Sequence, residues 1–276
     1  MLSYRWRHGR WPQLARPSRF TELVQRRKLD GGNPDWARLV DKVTAKEHVA
    51  ARLGREWVIP TLWTGSTLPP VPPVAPTFVV KARHGCRQNR FVRSEGEDWS
   101  AIRRTADGWM RRGYGGWLDE PLYAAVPRGL LIEPFIGETE RLPVDWKFYV
   151  FGGEVAAVQV HLERETRHRW LLFDRDWRRL SAGRGADVPP PPASLPAMIA
   201  AAERLGEGID FVRIDFYERF GRPLFGEMTF YPGSGYDPFD PVSLDAALGA
   251  RWSAASASAS ATASAICCTE KGLGRK

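Results

Sequence analysis

DFVRIDFYERFGRPLFGEMTFYPG, residues 210–233, alternates apolar and polar side chains on either side of Gly221. In the strand period of two, Val212, Ile214 and Phe216 point one way and Arg213, Asp215 and Tyr217 the other. On the returning strand Phe225, Glu227 and Thr229 are expected to share a face. A turn centred on Gly221 sets Asp215 opposite Glu227, and a two-residue turn moves that pairing by one position. Carboxylates facing each other on a sheet repel by about 0.2–1 kcal/mol even when exposed, so a cation belongs beside them. Arg213 is one candidate and a divalent metal another, since hard carboxylate oxygens suit magnesium held together with nucleotide phosphates. A solvated hairpin in which Arg213 neutralises one acid is the competing reading.

Upstream, DWKFYVFGGEVAAVQVHLE (145–163) reads as a second hairpin around Gly152-Gly153. RWLLFDRDW (169–177) reads as strand and turn, and GLLIEPFIG (129–137) and TFVVKAR (77–83) as strands. AKEHVAARLG (45–54) is a helix stopped by Gly54, and PAMIAAAERLG (196–206) is another. Ser94 and Glu97 form a capping-box pattern ahead of a helix carrying Trp99, Ile102, Ala106 and Trp109. LPPVPPVAP (68–76) excludes helix and reads as an extended connector. Residues 1–40 are polar, Trp-rich and irregular. From Trp252 the chain becomes alternating Ser and Ala, a composition that cannot build a core, and 252–276 is expected to be a disordered tail. Strand pairs joined by tight turns, mixed with helices, give an α+β fold with mainly antiparallel sheets.

The 276 residues are 43% hydrophobic, enough for one or two domains with a core. Of the net charge of +8, much lies in residues 1–30, where eight Arg and Lys face only Glu22 and Asp30. Such a segment serves an anionic membrane surface, an acidic polymer or nucleic acid, or is simply a solvated basic face; no recognised nucleic-acid module accompanies it. The cysteines are Cys86, Cys267 and Cys268, a spacing that makes neither a disulfide framework nor a metal finger. A reducing, cytoplasmic compartment is expected, with contact at the inner membrane face left open. No apolar run is long enough to span a bilayer.

Arg213-Ile214-Asp215, followed by Glu227-Met228-Thr229 and Pro232-Gly233, resembles the terminal signature of ATP-grasp ligases such as D-alanine–D-alanine ligase. The resemblance extends to the TupA-like branch through PSRFTELVQRRKL, DKVTAKEHVAARLG, VIPTLW, VVKARHG, LLIEPFIG, VDWKFYVFGGEV and RWLLFDRDW. It implies two α+β subdomains, residues 41–128 and 129–251, clasping ATP and Mg2+. By the same resemblance Asp215, Glu227 and Thr229 are metal ligands, and Arg213 is a catalytic residue stabilising charge on the transferred group. Thr229 stands where the family has Asn, and a hydroxyl ligates magnesium more weakly.

The resemblance assigns phosphate contacts to Lys42 of the Asp41-Lys42 pair, to Lys81, to the loop residues His84, Gly85 and Arg87, and to the inner-strand Lys147. That loop is usually glycine-rich, and here it offers one glycine and fewer backbone amides to an anion. Without the resemblance Lys81 is an ordinary exposed strand lysine and His84 an exposed loop histidine. Glu133, with Ile136 just beyond it, stands at the strand end that meets adenine in the family, and Glu138 is within reach of the ribose. Family members act in surface-polysaccharide or teichuronopeptide synthesis, which implies a ligase that activates a carboxylate as an acyl-phosphate and couples it to an amine, with sugar-linked substrates. About 40 residues precede Asp41, fewer than the acceptor-binding domain many such ligases carry. Two other functions remain. Asp174-Arg175-Asp176 has the D-x-D form of a metal-dependent glycosyltransferase, and the single-glycine loop, Thr229 and the tryptophans fit a catalytically silent nucleotide- or polysaccharide-binding protein.

Overall fold

A computed structural model describes residues 1–137, 141–162, 169–182 and 188–272, with the side chains of the last helix described as far as Ser258. Two antiparallel sheets carry the fold. The first has four strands in the order β1 (Trp63–Gly65), β4 (Leu130–Pro134), β2 (Phe78–Ala82), β3 (Asn89–Val92). The second has five, ordered β7 (Arg169–Phe173), β6 (Glu154–Leu162), β5 (Asp145–Phe151), β8 (Phe211–Arg219), β9 (Arg222–Thr229). The α+β, antiparallel expectation therefore holds. The boundary expected at residue 129 does not: β4, placed by its sequence in the second unit, pairs with β1 and β2 in the first sheet. A run apolar on both faces fits any central strand, so composition alone could not say which sheet it completes.

Each sheet buries one apolar face under a helix. In the small sheet Phe78, Val80, Ala82, Leu130 and Ile132 pack on α5 (Trp99–Arg111) through Ile102 and Ala106. The cap of α5 is Asp98, whose side chain accepts from the Ala101 amide at 2.9 Å. This replaces the expected Ser94–Glu97 box, because Asp is as good an N-cap as Ser and stands one residue before the helix. In the large sheet Phe148, Val150, Val212 and Ile214 are buried on the face covered by α7 (Leu195–Gly206). Gly206 lets that helix approach closely, since a Cβ there would lie 2.5 Å from Val150. α4 (Thr44–Leu53) runs from the Asp41-Lys42 segment and ends at Gly54, as expected.

The opposite face of the large sheet is divided. At one end Tyr149, Phe151 and Phe211 gather round Phe20 of α2 (Phe20–Asp30), with ring centroids 4.9–6.2 Å apart. At the other end the same face is polar.

Two corrections concern this covering layer. The N-terminal residues are not irregular: α1 (Leu2–His8) and α2 are followed by the one-turn α3 (Ala37–Val40). Helical periodicity was invisible because α2 buries polar side chains, each with a partner. Glu22 takes Arg10 at 2.5 Å and Arg27 takes Asp210 at 2.5 Å, while Gln25 and Lys28 both donate to the Ser234 carbonyl. The second correction is at the C-terminus, where α8 (Ser243–Gly272) is helical through the Ser/Ala stretch. Alanine is the strongest helix former. Trp252, where the composition changes, is 3% exposed against Phe20 and Phe211. The short α6 (Pro121–Ala124) completes the elements. Among the described residues no helix is long and apolar enough to cross a membrane.

Candidate active site

The polar end of the large sheet is a grid of two cross-strand rows. Lys147, Asp215 and Glu227 are direct neighbours across β5, β8 and β9, and Tyr149, Arg213 and Thr229 form the next row on the same face. Antiparallel pairing brings side chains from three strands within reach of one another without any loop.

Asp215 is 1% exposed and is the electrostatic centre of the grid. Arg213 grips it in a fork, Nε to Oδ1 and Nη2 to Oδ2, both at 2.7 Å. Lys147 donates to Oδ2 as well. Burial alone would raise the Asp215 carboxyl, but the Arg213 and Lys147 charges overcome it and hold the group at about 2. Lys147 also pairs with Asp145 at 2.6 Å. Arg213 Nη2 reaches Glu227 Oε1 at 3.2 Å and the Thr229 hydroxyl at 3.3 Å, and Thr229 donates to the same Glu227 oxygen at 3.3 Å. Glu227 is the less buried carboxylate, with 29% of its side chain exposed. Arg213 neutralises one acid, as the solvated-hairpin reading has it, but that acid, Asp215, is buried rather than solvated.

The pairing of Asp215 with Glu227 is as expected, but its origin is not. The turn has two residues, Phe220 and Gly221, both at positive φ, and Arg219 pairs with Arg222. A bulge between Asp215 and Phe216 then restores the expected partners, with Gly226 as the extra residue. Phe225, set opposite Phe216 by the turn register, lies in the core, 2% exposed, instead of sharing the face of Glu227 and Thr229.

A loop from the small sheet comes within electrostatic reach of this grid. Asp41 binds Arg83 in a fork, with Oδ1 accepting from Nε at 3.0 Å, and Lys42 donates to the Gly85 carbonyl at 2.5 Å. His84 is not an exposed loop histidine. It is 1% exposed, with Nε2 3.3 Å from the Trp109 carbonyl and Nδ1 accepting from the Gly129 amide at 3.4 Å. Burial keeps its pKa low, so it pins the loop as a neutral ring and both nitrogens are taken. Cys86 follows, its thiol raised first by burial and then by the charge of Glu227, with Lys42, Arg213 and Lys147 opposing. Three of those charges, Glu227, Arg213 and Lys147, belong to the grid, so the loop stands within electrostatic reach of it. Arg87 is exposed at the loop tip with φ 58°.

On the cleft face of the small sheet Lys81 pairs with Glu133 at 2.5 Å, and Lys46 of α4 grips the other Glu133 oxygen. Lys81 is thus half-buried and paired, not an ordinary exposed strand lysine. Burial raises Glu133, and Lys81 and Lys46 bring it down to about 2. Ile136 is half-buried beyond the strand, and Glu138 lies outside the described residues. Asp174-Arg175-Asp176 is brought to none of these groups. Asp174 Oδ1 accepts from the amides of Asp176 and Arg178, an Asp-closed surface turn.

Sequence reading missed Asp145, Lys46, Arg83 and Tyr149. Asp145 was legible, two residues before Lys147 and so on the same strand face. Lys46 carried no signal, because its partner Glu133 is distant in the chain. On the far side of Arg213 a small cavity is lined by Tyr149, Gln159, His161, Trp170, Asp237 and the Gly233–Gly235 turn.

The pattern defining the TupA-like ATPgrasp family matches residues 22–253. No curated protein matches the sequence. Among solved structures, D-alanine–D-alanine ligase from Helicobacter pylori superposes with a TM-score of 0.49 at 12% identity, over 85% of this chain and 66% of that one. The ATP-grasp ligase PsnB complexed with minimal precursor gives 0.45 at 14%, over 86% and 68%. D-alanine–D-alanine ligase from Bacillus anthracis complexed with ATP gives 0.43 at 12%, over 70% and 53%. The chain spans between half and about two thirds of the length of these solved chains.

Proposed function

From a chain that belongs to the TupA-like ATP-grasp family, we propose an Mg-ATP-dependent ligase that activates a carboxylate as an acyl-phosphate and couples it to an amine, on sugar-linked substrates of surface-polysaccharide or teichuronopeptide synthesis. One observation carries the reading: Lys147, Asp215 and Glu227 stand in a row with Arg213 beside them, within electrostatic reach of a loop held by Lys42. Cations and hard oxygens alternate there, which is what a triphosphate and a magnesium ion require.

The donor set fits magnesium. Glu227 presents oxygens at the partly exposed edge, the buried Thr229 hydroxyl lies beside it, and the buried Asp215 would supply the second carboxylate. Among the described residues no three His, Cys, Asp or Glu gather, so a metal here takes its remaining ligands from phosphate and water. When bound, magnesium neutralises phosphate charge. The chain's own residues do the rest. Lys42, Lys81 and Lys147 bind phosphates as point charges. Gly85 and Arg87 cover them, and His84 holds the loop in place from within. Glu133 orients Lys81 from beneath, and Ile136 borders the adenine. Arg213 is already charged and fixed by its fork to Asp215, so it stabilises the transferred group without reorganisation. The cavity beyond Arg213 receives the carboxylate, and Asp237 at its rim meets the incoming amine.

Titration of the protein with ATP, with and without magnesium, tests the reading together with ADP and phosphate release over a panel of carboxylate–amine pairs. Magnesium-dependent ATP binding is expected. Tight binding of a nucleotide-sugar with no response to ATP would overturn it, and ATP binding without turnover on any pair would make the protein a silent binder.

A further inference from the structure

Residues 1–19 contain Arg5, Arg7, Arg10, Arg16 and Arg19 and no acidic residue. The structure sorts these side chains into an inner and an outer set. Inward, Tyr4 is fully buried, its hydroxyl 2.9 Å from the Thr21 hydroxyl, and the His8 ring packs against it at a tilt, 4.2 Å between centroids. Arg10 also turns inward, onto Glu22 and Asp245. Outward, Leu2 is 77% exposed, Trp6 78% and Trp11 48%, and Arg5, Arg7 and Arg16 are exposed beside them. The Arg5 guanidinium lies 5.2 Å from the Trp11 ring and that of Arg7 4.9 Å from the Trp6 ring. The neighbouring acids Glu22 and Asp245 are spent on Arg10, so the outer face is basic and apolar together.

We propose that α1 and the segment that follows it to Arg16 dock the protein on the anionic surface of a lipid membrane. Tryptophan and leucine enter the headgroup boundary while arginines meet acidic lipid heads, the composition that surface-lying helices use. A soluble polyanion would draw on the arginines alone and leave Leu2 and Trp6 in water. The face is also tied to the site. Thr21, bonded to Tyr4, and Gly235, whose carbonyl is 3.1 Å from His8 Nε2, both line the cavity beyond Arg213. Docking through the outer face of α1 therefore holds that cavity at the bilayer surface. The docking itself stands independently of the ligation reading.

Co-sedimentation of the full chain with sucrose-loaded vesicles tests it, using phosphatidylcholine alone and phosphatidylcholine mixed with phosphatidylglycerol. Binding is expected to the mixed vesicles only, with a blue shift of tryptophan fluorescence and weakening in salt. Trp6→Ala/Trp11→Ala keeps every charge and is expected to weaken vesicle binding at least about tenfold. Arg5→Glu/Arg7→Glu should weaken it at least as much. Neither variant touches the Arg213 grid, so ATP binding and ADP release in free solution should be unchanged, which separates failure of docking from failure of the ligase reading. No binding to the mixed vesicles overturns the proposal. So does a tryptophan variant that binds them like the parent while both bind heparin equally, since that face would then serve soluble polyanions.

Discussion

Glu227 stands opposite Asp215 because one residue of β9 is left over. The Phe220-Gly221 turn pairs Phe216 with Phe225, and uninterrupted pairing would place Gly226 opposite Asp215. The turn register already puts Phe225 in the core opposite Phe216; the bulge absorbs Gly226 and sends Glu227 and Thr229 to the face of Arg213. A polar, carboxylate-bearing edge and a packed strand coexist in eight residues through that single insertion.

Gly226 should therefore resist substitution. A Cβ there would lie 3.1 Å from both the Asp215 carbonyl oxygen and the Tyr217 ring, and the former belongs to a central strand that cannot yield. Gly226→Val is expected to cost about 1–3 kcal/mol by urea denaturation and to lower magnesium-dependent ADP release further than the stability loss explains. An unchanged midpoint would show that the bulge is not under packing constraint.

The two carboxylates should respond differently to neutralisation. Asp215→Asn leaves Arg213 and Lys147 buried without their shared counter-charge, a loss of about 3–5 kcal/mol. Glu227→Gln, at the partly exposed edge, should stay within about 1 kcal/mol of the parent. Both should abolish magnesium-dependent turnover. Full activity in either variant would remove that residue from the metal set.

Glu133 gives the protein an acid limit. Its carboxyl is held at about 2 against an ordinary 4.5. The folded form therefore binds fewer protons than the unfolded chain between those values, and the contribution, present in full above 4.5, is lost as the pH falls through 2. The shift corresponds to about 3 kcal/mol. Asp215, held at about 2 from 3.8, adds in the same direction. Denaturation midpoints measured from pH 5 to pH 2 (a range set by these values) should fall steeply, and less so in Glu133→Gln.

Lys28 acts at the alkaline end. Burial lowers it to about 8 from 10.5, with Glu120 and Asp119 opposing. Between those values the unfolded chain keeps a proton that the folded chain has released, so this residue's contribution rises with pH from 8 to 10.5. Lys28→Met should flatten that rise. A difference between the two proteins that does not vary with pH would show that Lys28 titrates normally.

Trp252 tests whether the last helix belongs to the core. Its ring packs at a tilt 4.5 Å from Phe211, sits 4.2 Å from the Arg27 guanidinium, and donates from Nε1 to Asp210 at 2.8 Å. Trp252→Ala is expected to cost about 3–5 kcal/mol in thermal or urea unfolding.

Local alternation and turn residues were enough to determine much of this protein. The β5–β6 and β8–β9 hairpins, α4, α7, the α+β class and the acid-rich strand face follow from residues adjacent in the chain, where side-chain direction is set by a period of two or 3.6. Arg213, Asp215 and Glu227 were legible for the same reason. The tertiary structure decided what depends on distant partners. Glu133 and His84 were in view, but Lys46, Trp109 and Gly129 gave them their roles. α2 hid behind polar residues whose burial makes sense only with Arg10, Asp210 and Ser234 in place. The Ser/Ala helix joined the fold through Trp252, a contact of a helix with a sheet far away in sequence. Periodicity records which way a side chain points. The free energy of burying a charge depends on what meets it, and that is settled only when the sheets and helices come together.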